Sequence, residues 1–371
     1  VRRVIPVLLV LGLLLHPGIA CSDSPQPPIK IGAIFCLTGE IASGCNAIRE
    51  GAEVALDLVN QSGGVRGRPL RLEIQDSHYS PRDSHTLAQR FAGDPSVLGV
   101  LITGIVETKA AAAPLEKAHM PYVTLWDSAP EIEALGTSSF GIGPWLPASY
   151  ELASEFAFSH LQRKRAAVIA TTAEWSIGVS KGFVEHFKGL GGEIVSYEEV
   201  LPSDADFRSV LARALTEKPD LIYAPVTSHL IPFFKQLRQL GYAGPVITSD
   251  NLTDELVAQG GGVFEGVFQT MVGEPENPEA ERLKVLYQKK FGRAPKMLAF
   301  HGWGYDGVRL MAEALAHSDL TRESLREALL AIRSFPGAGG AITFSAEGSW
   351  RMPLAVFEVR QGALHPVRSP T

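Results

Sequence analysis

The chain has 371 residues, 45% of them hydrophobic and 20% charged, with a formal net charge of −6. That length allows two domains with their own cores. Lysine and arginine are scattered with no basic block, which argues against a nucleic-acid partner. Only three cysteines occur, in no CxxC or Cys/His cluster, and the ten histidines do not pair at metal-ligand spacing, so no metal site or cofactor is expected.

The N-terminus reads as a targeting segment. Arg2 and Arg3 precede an apolar run over 4–15. At about 12 residues it is short for a membrane span and right for a signal peptide, assigned to 1–20. Gly18-Ile19-Ala20-Cys21 resembles a bacterial lipoprotein cleavage box, with Gly18 where leucine is usual. Cleavage there would make Cys21 a lipidated N-terminus; cleavage by ordinary signal peptidase near Ala20 is the alternative. Residues 21–28 then form a Pro-rich tether. Export permits disulfides. Cys36 and Cys45 flank one turn and can either bridge it or remain free thiols.

Residues 29–76 form the first β-α-β unit. Residues 29–35 are a mostly apolar run suited to a strand buried on both faces. A polar turn with two glycines follows, and Ile48, Ala52, Ala55, Leu56 and Val59 then recur as one helix face. Ser62-Gly63-Gly64 ends that helix. Leu70, Leu72 and Ile74 alternate with polar residues as a second strand ending at Asp76. Such a crossover is right-handed with parallel strands, and the loop at the carboxyl end of its first strand is where open α/β sheets bind ligands.

The pattern repeats. Helix signals cover 84–91 and 109–119; strand signals cover 97–103 and 121–125. Residues 140–147 (FGIGPWLP) are rich in Gly and Pro and read as a first crossing into a second α/β set. That set has helices over 148–161, 179–190, 207–216 and 231–240. Its strands are expected over 166–170, 193–200, 221–224, 246–248 and 264–272. Residues 273–278 (GEPENP) read as a second crossing. Helices over 279–291, 298–316 and 321–332 follow, the last with an N-cap signal at Thr321-x-x-Ser324. A strand over 341–344, a third crossing over 345–351 and a terminal hairpin around Gln361-Gly362 complete the chain.

Residues 29–76 also carry a resemblance. Thr38-Gly39, Gly51-Ala52 with Ala55, Gly63-Gly64-Val65 with Gly67-Arg68, and Asp76 follow in the order of the opening of the branched-chain amino-acid (Leu/Ile/Val-binding) type of periplasmic binding protein. Gly302-Trp303-Gly304-Tyr305-Asp306-Gly307 is similar to the family's G-Y-D-A helix. The resemblance covers about 29–367. It implies two doubly wound parallel α/β lobes joined by three crossings, 29–143 with 274–345 and 144–273 with 346–371, and a ligand cleft that closes by hinge motion.

The resemblance also implies site residues. The family's carboxylate site falls at Glu107-Thr108; Thr108 reads as a helix start whose hydroxyl and free N–H groups suit a carboxylate, or as a plain N-cap. Glu107 departs from the family's small hydroxyl residue, and an anion there would repel a ligand carboxylate by about 1 kcal/mol or more. Ser128, in Trp126-Asp127-Ser128-Ala129-Pro130, falls in the loop that holds the carboxylate, or starts a helix. Trp126 replaces a small residue and narrows the pocket or adds an aromatic wall. Trp175 matches the family's aromatic that closes on the ligand, or packs under its loop. Asp250 matches the acid that takes the ligand ammonium, or caps a helix over 253–258. Thr227 offers a hydroxyl, and Phe300 an apolar wall or core packing.

No G-x-S-x-G elbow or P-loop is present, so no enzyme is expected. The leading expectation is a monomeric periplasmic solute-binding protein, held at the membrane by a lipid anchor. It would pass an amino acid or related compound to ABC permease subunits. The alternative is a ligand-sensing module of the same fold for amides or aromatic acids; the end of the chain at Thr371 without a membrane span favours transport.

Overall fold

The computed structural model describes residue 1 and residues 26–39, 41–273, 277–344 and 350–367. The signal segment, Cys21 and most of the tether lie outside these residues, as do 274–276 and 345–349 of the expected second and third crossings.

The first lobe opens with β1 (Ile29–Phe35), α1 (Ala42–Gln61), β2 (Leu70–Asp76), α2 (Pro81–Gly93) and β3 (Val97–Thr103). It continues through α3 (Ile105–Lys117), β4 (Tyr122–Leu125), α4 (Pro130–Glu133) and β5 (Ser139–Ile142). The five strands form one parallel sheet in the order β2-β1-β3-β4-β5. β1 and β3 are buried almost throughout, as their apolar runs require.

The second lobe follows with α5 (Leu146–Glu155), β6 (Arg165–Thr171), α6 (Glu174–Gly189), β7 (Glu193–Val200), α7 (Arg208–Thr216) and β8 (Leu221–Tyr223). Next come α8 (Leu230–Gln239), β9 (Val246–Ser249), α9 (Asp254–Gly260) and β10 (Val267–Val272). α10 (Pro278–Phe291), α11 (Leu298–Ala316) and α12 (Arg322–Ala331) return to the first lobe, where Leu283, Trp303 and Leu325 share a core with Ile31 and Phe35. β11 (Ser334–Gly337), β12 (Gly340–Phe344) and β13 (Trp350–Arg351) make a small antiparallel sheet. β14 (Leu354–Arg360) and β15 (Ala363–Pro366) then join the second lobe. Its seven-stranded sheet runs β15-β14-β10-β9-β8-β6-β7, parallel except for the hairpin β14–β15 at one edge.

α1 lies against α11 with backbone touching backbone. A Cβ at Gly51 would come within 1.8 Å of the His301 carbonyl oxygen, and one at Gly304 within 1.8 Å of the Ile48 carbonyl oxygen. Only glycine fits there, which explains both glycine motifs that carry the resemblance. Cys36 and Cys45 are disulfide-bonded, with Cα atoms 5.4 Å apart, tying the end of β1 to the first turn of α1.

Three expectations change in detail. Residues 139–142 belong to β5 and not to a crossing, because Phe140 and Ile142 are buried and pair with Val123 and Leu125. The link to α5 therefore shrinks to 143–145. Residues 264–266 precede β10 rather than forming it. Trp350–Arg351, assigned to the third crossing, is a strand paired with β12.

Candidate functional site

Each lobe has a point where strand order reverses: β1/β3 in the first and β6/β8 in the second. Ligands of open α/β sheets bind outside the carboxyl ends of the strands at such points. Between them these ends carry most of the residues singled out from the sequence.

α3 starts earlier than the sequence suggests. Gly104 is its N-cap, at φ 71°, where a side chain would be strained. The next N–H, from Ile105, donates to Asp127 Oδ2 at 2.8 Å. A carboxylate from the loop after β4 thus caps α3 and complements its dipole. Thr108 is consequently inside the helix rather than at its start. Its hydroxyl donates to the Gly104 carbonyl at 2.8 Å, accepts from Thr124 Oγ1 at 3.1 Å, and is fully buried. It is not the N-cap, although Val106 and Glu107 before it lie in the first turn, whose N–H groups have no partner within the helix.

Glu107 is also fully buried. Ser77 and Thr103 hydroxyls donate to its carboxylate, the second at 2.8 Å. Burial raises it to about 7, against the lowering effect of those bonds, and the charges of Asp76 and Asp127 add to the rise.

In the loop after β4, Trp126 has φ 89°, uncommon for a bulky residue. Its ring meets Phe300 edge-on, with centroids 4.7 Å apart, and lies nearly parallel to Trp303 at 6.1 Å. Trp126 thus packs on Phe300, which is buried in the first lobe's core. Asp127 is only 6% exposed, and burial pushes its carboxyl up to about 6. Ser128 is buried; its N–H donates to the Pro144 carbonyl at 3.3 Å and its carbonyl accepts from Leu146 at 3.0 Å, fastening this loop to the start of α5. It starts no helix: the N-cap of α4 is Ala129.

In the second lobe, Trp175 lies half-buried in the first turn of α6 beside Glu174, which pairs with Lys109 of α3. A second contact joins Lys296, ahead of α11, to Glu255 of α9 at 2.7 Å. Asp250 follows β9 at φ 43°, and its N–H donates to the Thr270 carbonyl at 2.9 Å. It does not cap α9, because Thr253 does, accepting from Leu256 N–H at 3.1 Å. Its carboxyl forms no hydrogen bond or ion pair among the described residues. Withdrawal from water raises it well above the usual range, and the charge on Asp127 adds to this. Thr227 is exposed, with its N–H bonded to Thr171 Oγ1 at 3.0 Å.

The structure therefore brings Trp126 against Phe300, and Asp127 into electrostatic range of Asp250 and Glu174. Thr108 and Ser128 hold the scaffold behind them. Sequence reasoning passes over Asp127, Lys109 and Glu174. Asp127 stands in the loop 126–130, but its partner Ile105 is 22 residues away, and no local pattern announces that pairing. Among the described residues no cluster of His, Cys, Asp or Glu could hold a metal ion, and no helix is long and apolar enough to cross a membrane.

Residues 28–363 match the family described as "Periplasmic binding protein". A Leu/Ile/Val-binding protein homologue of Brucella melitensis is 24% identical over 346 residues, covering 90% of this chain and 92% of the relative. The solved leucine-binding protein of Thermotoga maritima superposes with a TM-score of 0.81 at 25% identity, over 92% of this chain and 98% of that one. A solute-binding protein of an ABC transporter from R. palustris, solved with benzoate, gives 0.81 at 20% identity, over 92% and 95%. The two sheets, their switch points and this coverage agree, and the chain belongs to the periplasmic binding protein family.

Proposed function

We propose that this protein is an extracytoplasmic solute-binding protein that captures a small polar ligand, an amino acid or a related compound, between its two lobes and delivers it to an ABC permease. The observation that carries this reading is that the carboxyl ends of the strands bring Trp126 against Phe300 in the first lobe and, in the second, leave the Asp250 carboxyl without a hydrogen bond or ion pair among the described residues. Polar groups converging from two lobes on an apolar surface suit a ligand held in a cleft. The name of the Brucella relative and that of the Thermotoga protein support the amino-acid class. The lobes are 29–143 with 274–345 and 144–273 with 346–371, and closure is a hinge motion at the three links. Trp126, Trp175 and Phe300 supply walls, Asp250 takes a ligand ammonium, and Thr227 lies at the rim. The protein works as a monomer, without catalysis, on the periplasmic side. Lipidated Cys21 anchors it, since two acyl chains give stable attachment where one does not.

A thermal-shift screen of the purified protein against amino acids, amides and aromatic acids tests the reading. A ligand at about 100 times its Kd should stabilise by about 2.7 kcal/mol and raise the melting temperature by several degrees. A screen in which no amino acid or amine-bearing relative shifts the transition counts against it; a shift by aromatic acids alone would favour the sensing alternative.

A further inference from the structure

Two ion pairs join the lobes, and both have the same polarity. Lys109 of α3 pairs with Glu174, the first residue of α6. Lys296, just ahead of α11, pairs with Glu255 in the first turn of α9 at 2.7 Å. In each, the cation belongs to the first lobe and the anion to the second. α3, α6 and α9 begin just beyond the ends of β3, β6 and β9, so both pairs stand at the carboxyl ends of the strands, where the lobes face each other. They share no residue and use different helices in the second lobe. The Arg351–Glu133 pair, at 3.3 Å, lies instead at the third link, where Arg351 is held on the small sheet by β12.

All four side chains are partly exposed, so each pair shifts an open–closed balance by at most about fivefold. Independent pairs multiply, giving at most about twentyfold. A swing of that size exchanges a population about four-fifths closed for one about four-fifths open. Opposite charges on the two rims also attract before they touch, over a Debye length of about 10 Å at 0.1 M salt. We infer that Lys109 and Lys296 on one rim, with Glu174 and Glu255 on the other, form an electrostatic latch that draws the lobes together without ligand and yields to salt. Closure that the rims already favour need not be driven by the ligand, so the latch sets affinity without touching the ligand. This rests on the reading that the two lobes close on a cleft.

Small-angle scattering of the ligand-free protein tests it, with carried-over ligand removed by dialysis from guanidinium. The radius of gyration should be smaller in about 10 mM NaCl than in about 1 M, where the Debye length falls from about 30 to about 3 Å. Glu174→Gln with Glu255→Gln should show in dilute salt the larger radius that the wild type has in concentrated salt. Reversing both pairs, by Lys109→Glu with Glu174→Lys and Lys296→Glu with Glu255→Lys, should restore the small radius in dilute salt. Glu174→Lys with Glu255→Lys alone should keep the lobes apart there. If a variant lacks a melting transition, the wild-type comparison between the two salts decides alone. A wild-type radius indifferent to salt, or a glutamine variant as compact as the wild type in dilute salt, overturns the latch. If the radius then still falls on adding a ligand found by the thermal-shift screen, the proposed function stands; a radius that moves in no arm, with or without such a ligand, overturns both.

Discussion

Asp127 caps α3 by accepting the Ile105 N–H on Oδ2 at 2.8 Å, and neither Asp127 nor Asp250 enters an ion pair among the described residues. Carboxylates withdrawn from water and left without a counter-ion mark a place where the fold accepts an electrostatic penalty. Under the proposed function, an amine-bearing ligand relieves that penalty.

Replacing Asp250 tests its share of this. Asp250→Ala should weaken binding of an amine-bearing ligand by about ten- to several-hundredfold, because a buried cation loses its acceptor. The melting temperature should stay unchanged or rise, since Thr253 and not Asp250 caps α9. Titration and melting curves on the same samples check both halves. Retained affinity for the amine would remove Asp250 from the site.

Stability should fall with rising pH in the absence of ligand. Burial raises Glu107 and Asp306 from 4.5 and 3.8 to about 7, and Asp127 from 3.8 to about 6. A carboxyl whose folded pKa lies above its unfolded value favours the folded state below the unfolded pKa, and this contribution is lost as pH rises through the folded value. The window is therefore about pH 4 to 7. Glu50 acts in the opposite sense: against the effect of burial, hydrogen bonds from Tyr287 and Arg293 hold it below its usual range, so its contribution is lost in acid. The expected melting temperature is higher at pH 6 than at pH 8, and Glu107→Gln should flatten that fall. An unchanged slope in the variant would contradict the assignment to Glu107.

The Lys109–Glu174 pair links α3 to α6 across the lobes. It is partly exposed, so its worth is about 0–1 kcal/mol and its effect on the open–closed balance at most about fivefold. Glu174→Gln should weaken ligand binding by no more than that at low salt, with the difference vanishing at high salt. A loss above about tenfold would mean that Glu174 contacts the ligand itself.

Removing the disulfide should destabilise the first lobe. Its two cysteines are 9 residues apart, a loop for which chain entropy predicts about 2–3 kcal/mol. Cys36→Ser with Cys45→Ser should lower the urea midpoint, and dithiothreitol should produce a similar loss in the wild type. No loss in either case would show that the bridge contributes nothing to folding.

The frame of the fold was legible wherever local pattern decides structure. The apolar run and helix stripe of 29–61 form β1 and α1, residues 298–316 form α11, and Gln361-Gly362, both at positive φ, turn the hairpin. Thr321 and Ser324 form the expected capping box. The resemblance carried the two-lobe architecture, and the glycine contacts of α1 and α11 supply its physical reason. β5 was not legible, because FGIG reads as a linker until β4 pairs with it. The site was legible only in part. Trp126 and Phe300 do meet. The placement of Thr108 went wrong because Gly104 and Asp127 together start α3 early, and a cap donated from another strand leaves no mark near the helix it caps.

The central claim is that a small ligand is captured by closure of two lobes. Small-angle scattering with and without saturating ligand from the thermal-shift screen tests it most directly. The account predicts a smaller radius of gyration in the bound state, with one ligand per chain. An unchanged radius at confirmed saturation, starting from an open unliganded form, would contradict it.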